Sequence, residues 1–220
     1  MKHPTSRMLH SYWNRIRGER RAPERAEVEP GEIRHLLADS LILELDMPHR
    51  TATLRLAGTR VCALFGRELR AQPFAALWGE AAADPWRMVE IVAGDAVGVV
   101  AGLHGSNAAG DGVDLELLLL PLRHRGRTQA RALGTLSPVG PPAWLGLRPL
   151  VRLDTTSLRV LSEPGGPAAD AGAEQDRPGF VPAGRIAPEG PGPLGTLPPP
   201  ANDSAPVRRG HFLVHRGGRV

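Results

Sequence analysis

Cys62 is the one cysteine of the chain, set in Val61-Cys62-Ala63-Leu64-Phe65, surroundings in which a thiol packs as a small apolar group. A single cysteine closes no intrachain disulfide, so the fold requires no oxidising compartment. His211 and His215 stand four apart, a spacing that would bring two imidazoles together on a helix. The intervening Phe212-Leu213-Val214 favours a strand instead, on which the rings would lie about 13 Å apart at ~3.3 Å per residue, too far for one metal ion. No metal-ligand set is assigned. Cys-x-x-Cys, Walker, dinucleotide-binding and Gly-x-Ser-x-Gly patterns do not occur, so no catalytic residue is named, although missing motifs do not exclude an enzyme. Arg123-His124-Arg125-Gly126-Arg127, with Arg131 beyond it, reads as a solvated hairpin loop. Used on phosphates it would make a nucleic-acid-associated regulator, but the interleaved aromatics that stack on bases are lacking.

Tyr12 and Trp13 carry a different kind of chemistry. Met8, Leu9, Tyr12, Trp13 and Ile16 recur at helical spacing between Ser6 and Gly18, which predicts an amphipathic helix. One helix face buries only part of two adjacent aromatics, so one ring is expected at the surface. Tyr12, Trp13, Arg17 and Arg25 therefore form a candidate partner or dimer interface, being of the residue types enriched there. The competing arrangement has both rings packed on a sheet.

Those side chains must be positioned by a modest amount of core. With 220 residues, 41% hydrophobic and 23% charged, the chain can bury one good core with appendages. Lys2 is the sole lysine, and the arginine, Gly and Pro usage points to a GC-rich coding bias. The net charge of +4 is too small to argue for nucleic acid. The N-terminus has no apolar signal core and no apolar run approaches the ~20 residues of a membrane span. A cytoplasmic location is expected.

Four regions separate by composition. Residues 1–40 read as an N-terminal helical cap, with a second short helix starting at Pro30 ahead of Ile33, Leu36 and Leu37. Residues 41–161 carry the core. Strands are predicted over 41–45 and 51–57, the latter from the alternation of Ala52, Leu54 and Leu56. Gly58 is expected to permit a turn and Thr59 to cap a helix that buries Val61, Leu64 and Phe65 and stops at Gly66. Asp84-Pro85 opens a further helix, ended at Gly94. Strands follow over 96–104, 113–122 and 132–137, with another at 149–161. The fold class is α+β, an antiparallel sheet of about five strands with short helices on one face and the N-terminal helix as a cap. Residues 162–209, rich in Pro and Gly, are expected to be a disordered linker. An apolar segment, 210–220, closes the chain.

On these elements, Gly66-Arg67-Glu68-Leu69 and Pro73-Phe74 resemble the pattern of PAS domains, in which a helix ends at Phe-Gly and is followed by Glu-Leu, a glycine and Pro-Phe. The structural motif residues are Gly58, Thr59, Phe65, Gly66, Glu68, Leu69, Pro73 and Phe74. Tyr12-Trp13, Arg17-Gly18, Pro23 with Arg25, and Pro30 with Ile33 are similar to a family of small single-PAS proteins common in alphaproteobacteria. Two positions depart from the pattern: Ala71 stands where many PAS domains have glycine, and Gly66 passes straight to Arg67-Glu68. The resemblance implies a non-enzymatic sensory or protein-interaction module in bacterial signalling. It would act through a signalling partner or a second copy, with room for a small-molecule ligand in the PAS pocket. Flavin-binding relatives use an Asn-Cys-Arg-Phe run that Cys62 lacks. Haem-binding relatives use a histidine on the long helix, where none occurs here, or on a nearby strand, where His104 reads as a surface residue at the strand end. No cofactor is assigned. The alternatives are a nucleic-acid-associated regulator built on the arginine-rich segments and a small-molecule enzyme using the pocket.

Overall fold

A computed structural model describes residues 1–78, 84–161, 207–209 and 212–216. Helix α1, Pro4–Arg17, starts where Thr5 N–H donates to His3 Nδ1 at 3.2 Å, and stops at Gly18 in a positive-φ conformation. The predicted second helix at Pro30 does not form. Residues 30–36 are successive turns that lead into a short 3-10 turn at Leu37–Asp39. The segment is too short to nucleate a helix in isolation, and burial of Ile33 and Leu36 against the sheet fixes its path instead.

Strands β1, Ser40–Asp46, and β2, Thr51–Ala57, make a hairpin. Helix α2, Thr59–Phe65, follows and ends at Gly66, which takes the expected left-handed conformation with φ 61°. At its start Gly58 is the cap and Thr59 the first helical residue. Gly58 has an ordinary negative φ, so its turn does not require glycine for conformational freedom. Steric room is the reason: a β-carbon there would lie 2.1 Å from the Leu37 carbonyl oxygen. Beyond the helix, Ala71 adopts φ 65°, so this chain keeps the left-handed backbone at the position where the PAS pattern has glycine. The bend is held by Ala71 N–H to the Leu54 carbonyl at 2.7 Å and Leu54 N–H to the Gln72 carbonyl at 2.9 Å. Phe74–Leu77 is a 3-10 turn, and helix α3 spans Asp84–Gly94.

Strands β3, Gly98–Asn107, β4, Gly112–His124, β5, Arg127–Pro138, and β6, Leu150–Leu161, complete an antiparallel sheet of six strands. The architecture is the expected α+β one, with one strand more than the five anticipated because β6 pairs along β3. Near the C-terminus β7, Val207–Arg209, and β8, Phe212–Arg216, form a small antiparallel pair, with β8 running parallel beside β6. The strand order is β2-β1-β5-β4-β3-β6-β8-β7. The apolar C-terminal stretch thus supplies a strand to the edge of β6, a position that would otherwise leave unpaired backbone groups. Of the expected disordered linker, 162–209, residues 162–206 lie outside the described residues, as does His211, while its last three, Val207–Arg209, form β7, where pairing with the apolar β8 supplies the backbone partners that their composition does not suggest.

The two faces of the sheet are covered differently. Leu115, Leu117 and Leu119 of β4 pack with α2, α3 and the Phe74 turn. Leu118, Leu120 and Leu122 pack with α1 and the segment behind it. Because both faces of β4 are buried, its sequence is a near-continuous run of leucines instead of an alternation.

Candidate functional site

On the first face, which we call the inner face, the motif residues act as structure. Phe65, Leu69 and Phe74 are buried in the core with Leu54, Leu64 and Val92. Phe74 meets Trp78 edge-on at 4.9 Å between ring centres, and Trp78 Nε1–H donates to Thr155 Oγ1 at 3.0 Å. Pro73 bridges to Thr53 at the free edge of β2. Glu68 folds back on its own turn, its Oε1 accepting from the N–H groups of Leu69 and Arg70, each at 2.9 Å. These bonds, the one from Arg70 N–H first, hold its carboxyl below the usual range. The Cys62 thiol lies 3.6 Å from the same oxygen, and burial pushes its pKa up. A thiol held protonated in this way is not set up as a nucleophile.

The outer face carries the N-terminal candidates. Tyr12 is 8% and Trp13 5% exposed, so the expectation that one ring would stay at the surface is not met: α1 lies across the sheet and buries both. Trp13 Nε1–H donates to the Pro121 carbonyl at 2.9 Å, and Tyr12 Oη accepts from Glu29 N–H at 2.8 Å. Arg17 lies over the Trp13 ring and Arg15, which pairs with Glu32, over the Tyr12 ring, each 5.2 Å from the ring centre. Buried Glu116 receives the N–H of Lys2 at 2.6 Å and of His3 at 3.0 Å. Lys2 and His3 lie just ahead of Pro4, and a carboxylate is favoured at that end of a helix because its N–H groups lack intrahelical partners and carry a partial positive charge. Ser6 Oγ and Thr135 Oγ1 lie 3.5 Å apart beneath the helix.

The arginine-rich connector is a tight hairpin whose turn residues, Arg125 and Gly126, both have positive φ. Glu24 clasps it, accepting from Gly126 N–H at 3.2 Å and lying 3.4 Å from Arg123. Pro23 takes the Arg123 N–H at 2.8 Å. The connector is therefore a docking point for the N-terminal segment as much as a solvated loop. His104 sits half-exposed with Nδ1 2.9 Å from Asp114, at the surface position expected of it.

Arg25, the last of the four interface candidates, faces a different feature. Together with Arg55, Arg70 and Arg131 it lines a basin of about 420 Å³ that also includes Glu68, Ile42, Leu56 and Ala57. An apolar groove of about 350 Å³ adjoins it, walled by Val28, Pro30, Ile33, Leu37 and Leu133, and sharing Arg25, Ile42, Leu56 and Ala57 with it. Arg55 pairs with Glu44 at 3.3 Å. Arg131 is 9% exposed, and its buried Nε has no hydrogen-bond partner. Burial first, and then Arg55, lower its pKa from the usual arginine value. No sequence motif points to Arg55 or Arg70, and by sequence Arg131 is only an extension of the connector. The four come from the 3-10 turn at Arg25–Glu27, β2, the bend after α2, and β5, and the strand order β2-β1-β5 brings Arg55 and Arg131 within one strand of each other.

Among the described residues no helix is long and apolar enough to cross a membrane, and no group of three His, Cys, Asp or Glu side chains could hold a metal ion. Comparison with protein-family models matches residues 1–137 to a PAS domain. A comparison with curated proteins finds no match.

Proposed function

Because the chain belongs to the PAS domain family, we propose that it is a non-enzymatic sensory or protein-interaction module that acts in bacterial signal transduction, in the cytoplasm, through a partner protein or a second copy. The observation that carries this reading is the construction of the outer face. Helix α1 is fixed there by a few discrete hydrogen bonds, from Trp13 to Pro121, from Glu29 to Tyr12 and from Lys2 and His3 to Glu116. A partner that competes for these bonds, or a ligand that favours one arrangement, shifts the population of docked and released α1. Release would bring Tyr12, Trp13 and the leucines of β4 to the surface, together with Arg17 and Arg25. The partner interface then belongs to the released state and is closed in the docked one.

Hydrogen exchange on the full chain tests this. Amides of α1 are expected to exchange by local opening, at least about tenfold faster than those of β4, because a switching element opens at lower free energy than the core. Native mass spectrometry of the same sample reports self-association. Exchange of α1 only through global unfolding, with a strictly monomeric protein, rules the reading out.

A further inference from the structure

The four-arginine basin has an imbalance that the fold does not use. Glu68 is committed to the N–H groups of Leu69 and Arg70, and Glu44 to Arg55. Among the described residues, the side chains of Arg25, Arg70 and Arg131 form no ion pair with a carboxylate. Arg131 is the sharpest case: its buried Nε–H lacks an acceptor, and the carboxylate across the strand pair from it, Glu44, is engaged by Arg55, so the burial of its guanidinium is poorly compensated. A planar fork of N–H donors suits the oxygens of a phosphate. Next to the basin lies the groove of Val28, Ile33, Leu37 and Leu133, continuous with it through Ile42 and Leu56.

We propose that the basin walled by Arg25, Arg55, Arg70 and Arg131 binds a phosphate group and that the adjoining groove takes an apolar body attached to it. The ligand is a small amphipathic phosphate ester. Its head supplies the acceptor that Arg131 lacks and its body covers the half-exposed Leu56. This assignment rests on the side chains of the β2-β1-β5 edge and stands apart from the release of α1. The segment that closes the groove, Val28 to Leu37, connects α1 to β1, so an occupied groove would also brace the cap.

Calorimetric titration of the full chain with monomeric dodecyl phosphate tests the proposal, with inorganic phosphate and neutral dodecyl maltoside as partial ligands. Dodecyl phosphate is expected to bind saturably at one site and at least about tenfold more tightly than either partial ligand, and to weaken as salt rises. Arg70→Gln, Arg131→Gln and Leu56→Glu should each reduce its affinity about tenfold or more, since charge-assisted bonds and buried apolar contact are lost. Arg70 and Leu56 are exposed, so their variants keep the fold and the test survives if Arg131→Gln does not. Without ligand, Arg131→Gln should melt no lower than the wild type, as expected of a guanidinium kept for an absent partner; a lower melting point assigns Arg131 to structure and overturns its role. Equal binding of dodecyl phosphate and dodecyl maltoside, or undiminished binding by Arg70→Gln, overturns the phosphate site. Sedimentation with phosphatidic acid vesicles in the absence of monomer binding overturns the enclosed groove in favour of a membrane surface.

Discussion

The inner and outer faces of one sheet bury similar leucines and are held by different forces. Inside, α2, the Phe74 turn and α3 meet the sheet through Leu43, Leu54, Leu64, Phe65, Leu69, Phe74, Val92 and Leu117, a mostly hydrocarbon interface to which Trp78 adds its hydrogen bond to Thr155. Outside, the apolar contacts of Leu9, Trp13, Ile33 and Leu118 are interrupted by Glu116, the Ser6 and Thr135 hydroxyls, and the Trp13 and Tyr12 hydrogen bonds. Hydrocarbon packing has no direction and answers to little except temperature and denaturant. Hydrogen bonds to named atoms can be exchanged one for one with a competitor, and charges respond to pH and salt. The difference teaches that the inner face makes the domain and the outer face makes it adjustable.

That contrast can be broken at four points. The largest effect is expected inside: Phe74→Ala removes a fully buried ring and should cost about 3–5 kcal/mol, seen as a cooperative loss of the whole domain in a denaturant titration. If α1 were lost while the sheet remained, the inner face would not be the foundation.

Trp13→Ala should cost about 3 kcal/mol by the same packing argument, but its effect should be local. Circular dichroism is expected to retain the sheet, while hydrogen exchange in α1 accelerates far more than in β3 and β4. Equal acceleration throughout would mean that the two faces form a single cooperative unit and that α1 is no independent cap.

Glu116→Gln tests the polar seam. The amide keeps the shape and one acceptor but loses the charge that strengthens the bonds from Lys2 and His3, a loss of about 1–2 kcal/mol. Nuclear magnetic resonance should show the first turn of α1 fraying, with the inner core unshifted. Unchanged amide exchange at residues 5–8 would remove Glu116 from the clasp.

The smallest effect is that of pH on α1. Burial, then Arg17 and the N-terminus, lower the pKa of His10, which stacks near Trp13. The folded chain therefore binds its proton less readily than the unfolded chain, whose His10 titrates near about 6.5. Its contribution to stability is complete above that pH and declines as pH falls from there toward the folded value. Melting curves at pH 8 and pH 5.5 should separate more for the wild type than for His10→Gln. An equal separation places the pH response elsewhere.

How much of this was legible depends on the range of the interaction. The β1-β2 hairpin, α2 with its stop at Gly66, and α3 with its end at Gly94 were readable because alternation, apolar spacing and left-handed glycine act within a few residues. The failures at Pro30 and Thr59 have one cause: tertiary contacts, of Ile33 and Leu36 with the sheet and of Leu37 with Gly58, overrode the local preference. Helical spacing predicts the helix that carries Tyr12 and Trp13 but not the burial of both rings, because no local pattern shows that β4 offers a second apolar face for them.

By itself the sequence determined the elements from the β1-β2 hairpin to β6 and the PAS motif from Gly58 to Phe74, since these depend on backbone preference and on neighbours close in the chain. The tertiary structure decided what lies opposite what. Burying Trp13 required Pro121, more than a hundred residues away, and Glu116 found its N–H donors at the chain start. The arginine basin exists because β1 is inserted between β2 and β5, which places Leu56 and Leu133 on either side of Ile42 and sets Arg55 and Arg131 on the strands flanking β1. Side chains far apart in sequence acquire a shared charge environment only when strand order fixes their separation, and no local pattern records that order.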